Sequence, residues 1–125
     1  MIAEGTPVAF VPCRDPAASR SFYEDVLGLE LLAEDEFALT FDAGGTPVRL
    51  TRVPSHEPAP YTVLGWEVDD LGEAVAELAK RGIEPARFDG LEQDARGVWT
   101  APDGSRVAWF RDPDGNVLSF TEILE

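Results

Sequence analysis

Asp112-Pro113-Asp114-Gly115-Asn116 sets two carboxylates around a proline, and Val117-Leu118-Ser119-Phe120 follows as an apolar run broken by one hydroxyl. Carboxylates this close together are the donors that hard cations such as calcium bind. An EF-hand loop needs acids at its first, third and fifth positions, a glycine at the sixth and a glutamate at the twelfth. Counted from Asp112, the glycine comes fourth and the twelfth residue is Ile123. The spacing therefore predicts a hairpin turn whose acids are structural. Ser119 has the hydroxyl of a nucleophile but no base. The single histidine, His56, lies in a proline-rich stretch where it is expected to be solvated. The single cysteine, Cys13, ends an apolar run. Alternation turns it away from the face carrying Val8 and Phe10 and into the core, with no histidine beside it to activate the thiol.

Charge narrows the partners. Ten basic residues against 24 acidic ones leave a net charge of −14, a field that repels nucleic acid and anionic membranes, with no Lys/Arg cluster to oppose it. The same field would attract a cationic small molecule, or would serve only solubility. No apolar run reaches the ~20 residues that span a bilayer. Met1-Ile2-Ala3-Glu4-Gly5 lacks the basic start and apolar core of a signal peptide. A lone cysteine forms no intrachain disulfide and fits a reducing compartment. Together these suggest a cytoplasmic protein. At 125 residues the chain is expected to form one domain with a core of its own.

The elements that position these residues are written twice. Val8 to Asp15 can be laid over Val63 to Asp70, each an apolar strand running into an acid placed to cap a helix. After Asp15, Pro16 suits the first helical position, and Ala18, Phe22 and Val26 make an apolar stripe that Gly28 stops. After Asp70, Glu73 has capping-box-like spacing, Leu71, Val75, Leu78 and Ala79 make the stripe, and Gly82 stops it. Strand patterns follow each helix: Leu29–Leu32, Phe37–Phe41 and Val48–Val53, then Ile83–Phe88, Val98–Thr100, Arg106–Phe110 and Val117–Ile123. Glycine-based turns punctuate them at 42–45, 102–104 and 112–115. Residues 89–97 read as a polar, mobile loop. The expected organisation is a single domain over 1–125, with module one at about 6–53, a proline-rich linker at 54–60 and module two at about 61–123. The expected fold class is α+β: two βαβββ modules forming a curved, mostly antiparallel sheet with helices on the outer face and the opposite, concave face free for a ligand.

Asp15, six intervening residues and then Phe22-Tyr23-Glu24-Asp25-Val26-Leu27-Gly28-Leu29 resemble the first-helix signature of the vicinal oxygen chelate superfamily, the glyoxalase/bleomycin resistance protein/dioxygenase family. Trp66 to Leu71 with Ala74-Val75, and Asp112 to Leu118, resemble its later motifs, so the likeness covers nearly the whole chain. The resemblance implies paired βαβββ modules and a homodimer. In metal-using members it implies a divalent ion held by His, Gln or Glu on particular strands. Those positions fall here on Val8, Arg49, Val63 and Ser119. None is a strong ligand, and an arginine cation would repel the ion. The expectation is a member with no metal and no cofactor.

The remaining candidates are ligand contacts. Alternation puts Arg49 and Thr51 on the cavity side, where Arg49 would bind a carboxylate or phosphate-like group, pair with an internal acid such as Glu67, or face solvent. Ser119 and Thr121 share that side of the last strand and would orient a ligand or a water. Phe10, Trp99, Trp109 and Tyr61 are core or the apolar wall of a small-molecule pocket, and Trp66 is expected to face the second helix. The sequence thus favours a small-molecule-binding protein of glyoxalase/bleomycin-resistance type. A metal-dependent lyase, isomerase or dioxygenase, and a dimerisation module with a vestigial pocket, are the rivals.

Overall fold

The computed structural model describes residues 2–124. By contact density the chain divides into two compact units, Met1–Glu57 and Pro58–Glu125, each of which runs strand, helix, three strands. The first contains β1 (Ala9–Cys13), α1 (Pro16–Ser21), β2 (Glu30–Glu34), β3 (Ala38–Ala43) and β4 (Thr46–Arg52). Its sheet has the order β1-β4-β3-β2, with β1 parallel to β4 and the other neighbours antiparallel. The second contains β5 (Thr62–Glu67), α2 (Leu71–Lys80), β6 (Trp99–Thr100), β7 (Arg106–Arg111) and β8 (Val117–Glu122). Its order β5-β8-β7-β6 repeats the first, again with a single parallel pair, β5 with β8. The fold is α+β, with two βαβββ modules, mostly antiparallel ladders, and each helix outside its sheet.

Local chemistry explains both helices. The Ala18 N–H donates to Asp15 Oδ1 at 3.2 Å, and Pro16 occupies the first turn, where its missing donor costs nothing. After Ser21 the helix continues as a π-helical turn, Phe22–Val26, in which the Leu27 N–H donates to the Phe22 carbonyl at 3.0 Å. The wider turn rotates the side chains that follow. Phe22 and Tyr23 are the buried pair, while Ala18 and Val26 of the expected stripe are only half-buried. Tyr23 packs against Phe41 of β3 with ring centroids 5.8 Å apart. In α2 the Glu73 N–H donates to Asp70 Oδ1 at 3.0 Å, and Leu71, Val75 and Leu78 are buried. Complete burial of a leucine such as Leu71 stabilises by about 1.5–3 kcal/mol. Gly28 and Gly82, at φ +74° and +78°, end the two helical runs in the left-handed conformation.

One expected strand does not form. Ile83–Phe88 is irregular, and its backbone reaches β7 through the Ala86 N–H, which donates to the Trp109 carbonyl at 2.8 Å. Pro85 removes a ladder donor from the middle of that run. The segment 89–97 is a loop, and it is well hydrogen-bonded. Gln93 Nε2 donates to the Ala86 and Gly97 carbonyls at 3.0 and 2.8 Å, and its Oε1 accepts from the Phe88 N–H at 2.8 Å. Asp94 Oδ1 accepts from the N–H groups of Arg96 and Val98, both at 2.9 Å. Val98 then joins Leu71, Val75 and Ala108 in the core under α2.

Candidate functional site

Alternation along each strand gives every sheet a helix-covered face and an open one. In the first unit Val11, Cys13, Leu39, Phe41, Val48 and Leu50 fill the covered face and are buried. The residues between them point the other way. Phe10 pairs with Arg49 across the parallel ladder, and Arg49 pairs with Thr40 across the antiparallel one. The next row on the same face is Pro12, Thr51 and Ala38. Arg49 Cζ lies 5.7 Å from the centroid of the Phe10 ring, a cation–π contact. Phe10 is 62% exposed, so the pair faces outward instead of being sealed in the core.

The open face of the second unit carries five of the expected contacts in two rows. Ser119 lies between Gly65 and Trp109, while Thr121 lies between Glu67 and Val107, which in turn pairs with Trp99. Trp99 and Trp109 stand with centroids 6.4 Å apart, and Phe88 meets Trp109 edge-on at 5.4 Å. Trp66, one residue out of phase, lies 5.9 Å from Phe120, which packs on the α2 core, as the sequence reading expected. Ser119 is only 5% exposed because its hydroxyl lies over Gly65. A Cβ built on that glycine would stand 2.8 Å from Ser119 Oγ. Gly65, on the same face as Glu67 by parity, makes this close approach possible, and a glycine inside a strand is the usual sign of one. Phe88 was missed because it was placed on a strand that does not form.

Other candidates have structural explanations. Cys13 is buried, and its thiol donates to Ser19 Oγ at 3.4 Å. Asp112 is the keystone of its turn: Oδ1 accepts from the Asp114 and Asn116 N–H groups and Oδ2 from the Asn116 amide, all at 2.9 Å. His56 is half-buried, not fully solvated, and Tyr61 is exposed. A cavity of about 230 Å³ lies on the covered side of the second sheet, where Val75, Leu78 and Ala79 of α2 meet Ile83, Pro85 and Arg96. It is on the opposite side of the sheet from Ser119. A shallower depression of about 630 Å³ runs from Gly90 to Asp94 and on to Trp99 and Thr100.

Two carboxylates are held below their ordinary range by hydrogen bonds. Asp35 accepts the Phe37 and Ala38 N–H groups at 2.7 and 2.9 Å, and the charges of Arg49 and Arg52 act in the same direction. Glu122 accepts the Leu71 N–H, the first of α2, at 3.1 Å, and Arg106 through two nitrogens at 3.0 and 2.9 Å.

The positions that the resemblance assigns to metal ligands can be tested by their chemistry. Val8 lies just before β1, and Val63 sits at a register shift in β5. Both are aliphatic. Arg49 brings a cation, and Ser119 a neutral hydroxyl over Gly65. This donor set does not fit a divalent ion, which needs carboxylate, imidazole or thiolate. Among the described residues, no group of three or more His, Cys, Asp and Glu side chains could hold one.

A family model described as Glyoxalase/Bleomycin resistance protein/Dioxygenase superfamily matches residues 6–120. Among solved structures, a member of the glyoxalase/bleomycin resistance protein/dioxygenase superfamily from Sphaerobacter thermophilus superposes with a TM-score of 0.76 at 24% identity, covering 98% of this chain and 100% of that one. The glyoxalase family protein from Enterococcus faecalis gives 0.74 at 22% identity over 98% and 100% of the two chains. A lactoylglutathione lyase from Agrobacterium tumefaciens gives 0.69 at 20% over 95% and 93%. At these identities the likeness is one of fold. No curated protein matches the chain.

Proposed function

The chain belongs to the Glyoxalase/Bleomycin resistance protein/Dioxygenase superfamily, and from that premise we propose that it binds a small organic molecule without the divalent metal that part of the family uses. One observation carries this reading: Val8, Arg49, Val63 and Ser119 stand where the metal ligands would be, and they offer aliphatic carbon, a cation and a neutral hydroxyl. Without a Lewis acid, binding would draw on apolar burial and a few placed polar groups. Each open sheet face has both. The first unit offers Phe10, Arg49 and Thr51, and the second offers Trp99 and Trp109 beside Glu67, Ser119 and Thr121. The same reading takes the protein as a two-module homodimer of the cytoplasm, with 54–60 as the linker.

Metal analysis of the purified protein tests the reading directly. The expected result is far less than one equivalent of nickel, zinc, iron or manganese, and no rise in Tm when any of them is added. Stoichiometric metal would restore the metal-dependent lyase, isomerase or dioxygenase reading. A screen of small organic acids and cationic compounds should then yield ligands that raise Tm. A metal-free protein that is dimeric by light scattering and stabilised by no compound would be a dimerisation module instead.

A further inference from the structure

Arg49 differs from the cations of the described residues whose side-chain bonds can be named. Arg20 bonds to Glu24 and Glu34, Arg52 to Glu34, Arg106 to Glu122 and Lys80 to Glu77. Arg87, Arg96 and Arg111 donate to backbone carbonyls. Among the described residues Arg49 has no salt bridge and no hydrogen bond, and its close contact is the face of Phe10. Acids are not scarce here, since 24 of them accompany 10 bases. Asp35 feels the Arg49 charge, but the two form no salt bridge, and Asp35 Oδ1 accepts the Phe37 and Ala38 N–H groups.

From this we infer that Arg49, seated on Phe10, recognises the oxyanion of a small organic molecule, a carboxylate or a phosphoryl group. The inference rests on the metal-free reading above and names the ligand class that reading leaves open. A guanidinium lying against a ring keeps its N–H donors free for paired hydrogen bonds to an oxyanion. The ring limits the side chain's freedom before the ligand arrives, which lowers the ordering cost of binding. The hydroxyls of Thr40 and Thr51 flank Arg49, one across the ladder and one two residues along β4. Phe10, mostly exposed, offers apolar surface to the body of the molecule. The net charge of −14 does not decide the matter. At hydrogen-bonding distance a paired guanidinium outweighs a field that salt screens within roughly 8–10 Å.

The arginine Nε–Hε resonances of ¹⁵N-labelled protein provide the test, with Arg49 assigned from its loss in Arg49→Lys. Sodium benzoate and phenylphosphonate are titrated separately, with benzamide and benzylammonium as uncharged and cationic controls. The Arg49 resonance should move at least about threefold further than that of Arg52 or Arg111 with one or both anions, and should be unmoved by the controls. The more effective anion tells carboxylate from phosphoryl. Arg49→Gln should abolish the accompanying backbone amide shifts. Arg49→Lys should weaken binding by about tenfold because it keeps the charge but loses the fork, and Phe10→Leu should weaken it less. An Arg49 response no larger than that of Arg52, or amide shifts that survive Arg49→Gln, would overturn the inference. Repeating the titration with EDTA and with added zinc, nickel or manganese separates the two readings. Bound metal together with an Arg49-dependent response defeats the metal-free reading alone, whereas a response that needs metal and ignores Arg49→Gln defeats both.

Discussion

The two units share one topology and differ, among other places, at the centre of the open face and in the chain that follows the helix. Phe10 pairs with Arg49 across the parallel ladder as Gly65 pairs with Ser119, so the same backbone position carries a phenyl ring in one unit and no side chain in the other. The bulky ring supports an exposed cation, while the missing side chain makes room for a nearly buried hydroxyl. After Gly28 a single residue leads into β2, a strand of five residues. After Gly82 an irregular stretch pinned by Gln93 leads to β6, a strand of two. Strand pairing conserves the frame, and what varies is whatever the ladder leaves unconstrained: the open face and the edge strand, which has a neighbour on one side only.

Gly97 gives the sharpest way to break that contrast. It closes the irregular stretch at φ +85°, and a Cβ there would stand 2.4 Å from Pro85 Cβ. Gly28, at φ +74°, has open space around its Cβ position. Gly97→Ala should therefore cost about 3 kcal/mol, through both backbone strain and overpacking. Gly28→Ala should cost about 1–2 kcal/mol, through strain alone. Urea unfolding at neutral pH measures both. Equal losses would mean that the stretch is not packed against Pro85 as described.

The next effect concerns the open face. Gly65→Ala should destabilise by about 1–2 kcal/mol because the new methyl meets Ser119 Oγ. The double variant Gly65→Ala/Ser119→Ala should recover most of the loss, a coupling that a double-mutant cycle reads out. At the matching position of the first unit, Phe10→Ala should change stability by no more than about 0.5 kcal/mol, since the ring is mostly exposed. If Phe10→Ala were the more damaging, the ring would be a structural prop and its pairing with Arg49 would lose its functional meaning.

Sequence reasoning found the frame because the frame is written in local chemistry. Asp15 and Asp70 cap helices, Gly28 and Gly82 end them, and period-two alternation sorts Leu50 from Arg49 and Phe120 from Ser119. It misplaced Ile83–Phe88 because Ile83 and Phe88 were given more weight than the proline between them. The partner that holds this run, Gln93, is recognisable only once the chain has folded back. The π turn at Phe22–Val26 was likewise invisible, since it rotates Tyr23 inward without altering composition. At the open faces the residue types were legible. That Arg49 would rest on Phe10 and form no salt bridge depends on how the folded chain places its neighbours.

The smallest effect compares the two hydrogen-bonded carboxylates. The Phe37 and Ala38 N–H groups hold Asp35 low and tie only the β2–β3 hairpin, whereas the Leu71 N–H and Arg106 hold Glu122 low and tie β8 to both α2 and β7. A carboxylate whose pKa is depressed by folding contributes stability that is complete above its unfolded pKa and disappears as pH falls through the folded one. For Glu122 the loss should begin as pH drops below about 4.5, its unfolded value, and for Asp35 below about 3.8. Glu122→Gln should therefore flatten the upper part of the acid limb in a plot of urea midpoint against pH, and Asp35→Asn only the lower part. Because Glu122 joins three elements and Asp35 one, Glu122→Gln should also lower the midpoint more at neutral pH. A Glu122→Gln protein whose acid limb is superimposable on the parent's would show that the carboxylate is not tied to α2. The second unit would then keep its Arg106–Glu122 pair but lose the carboxylate that accepts the first N–H of α2.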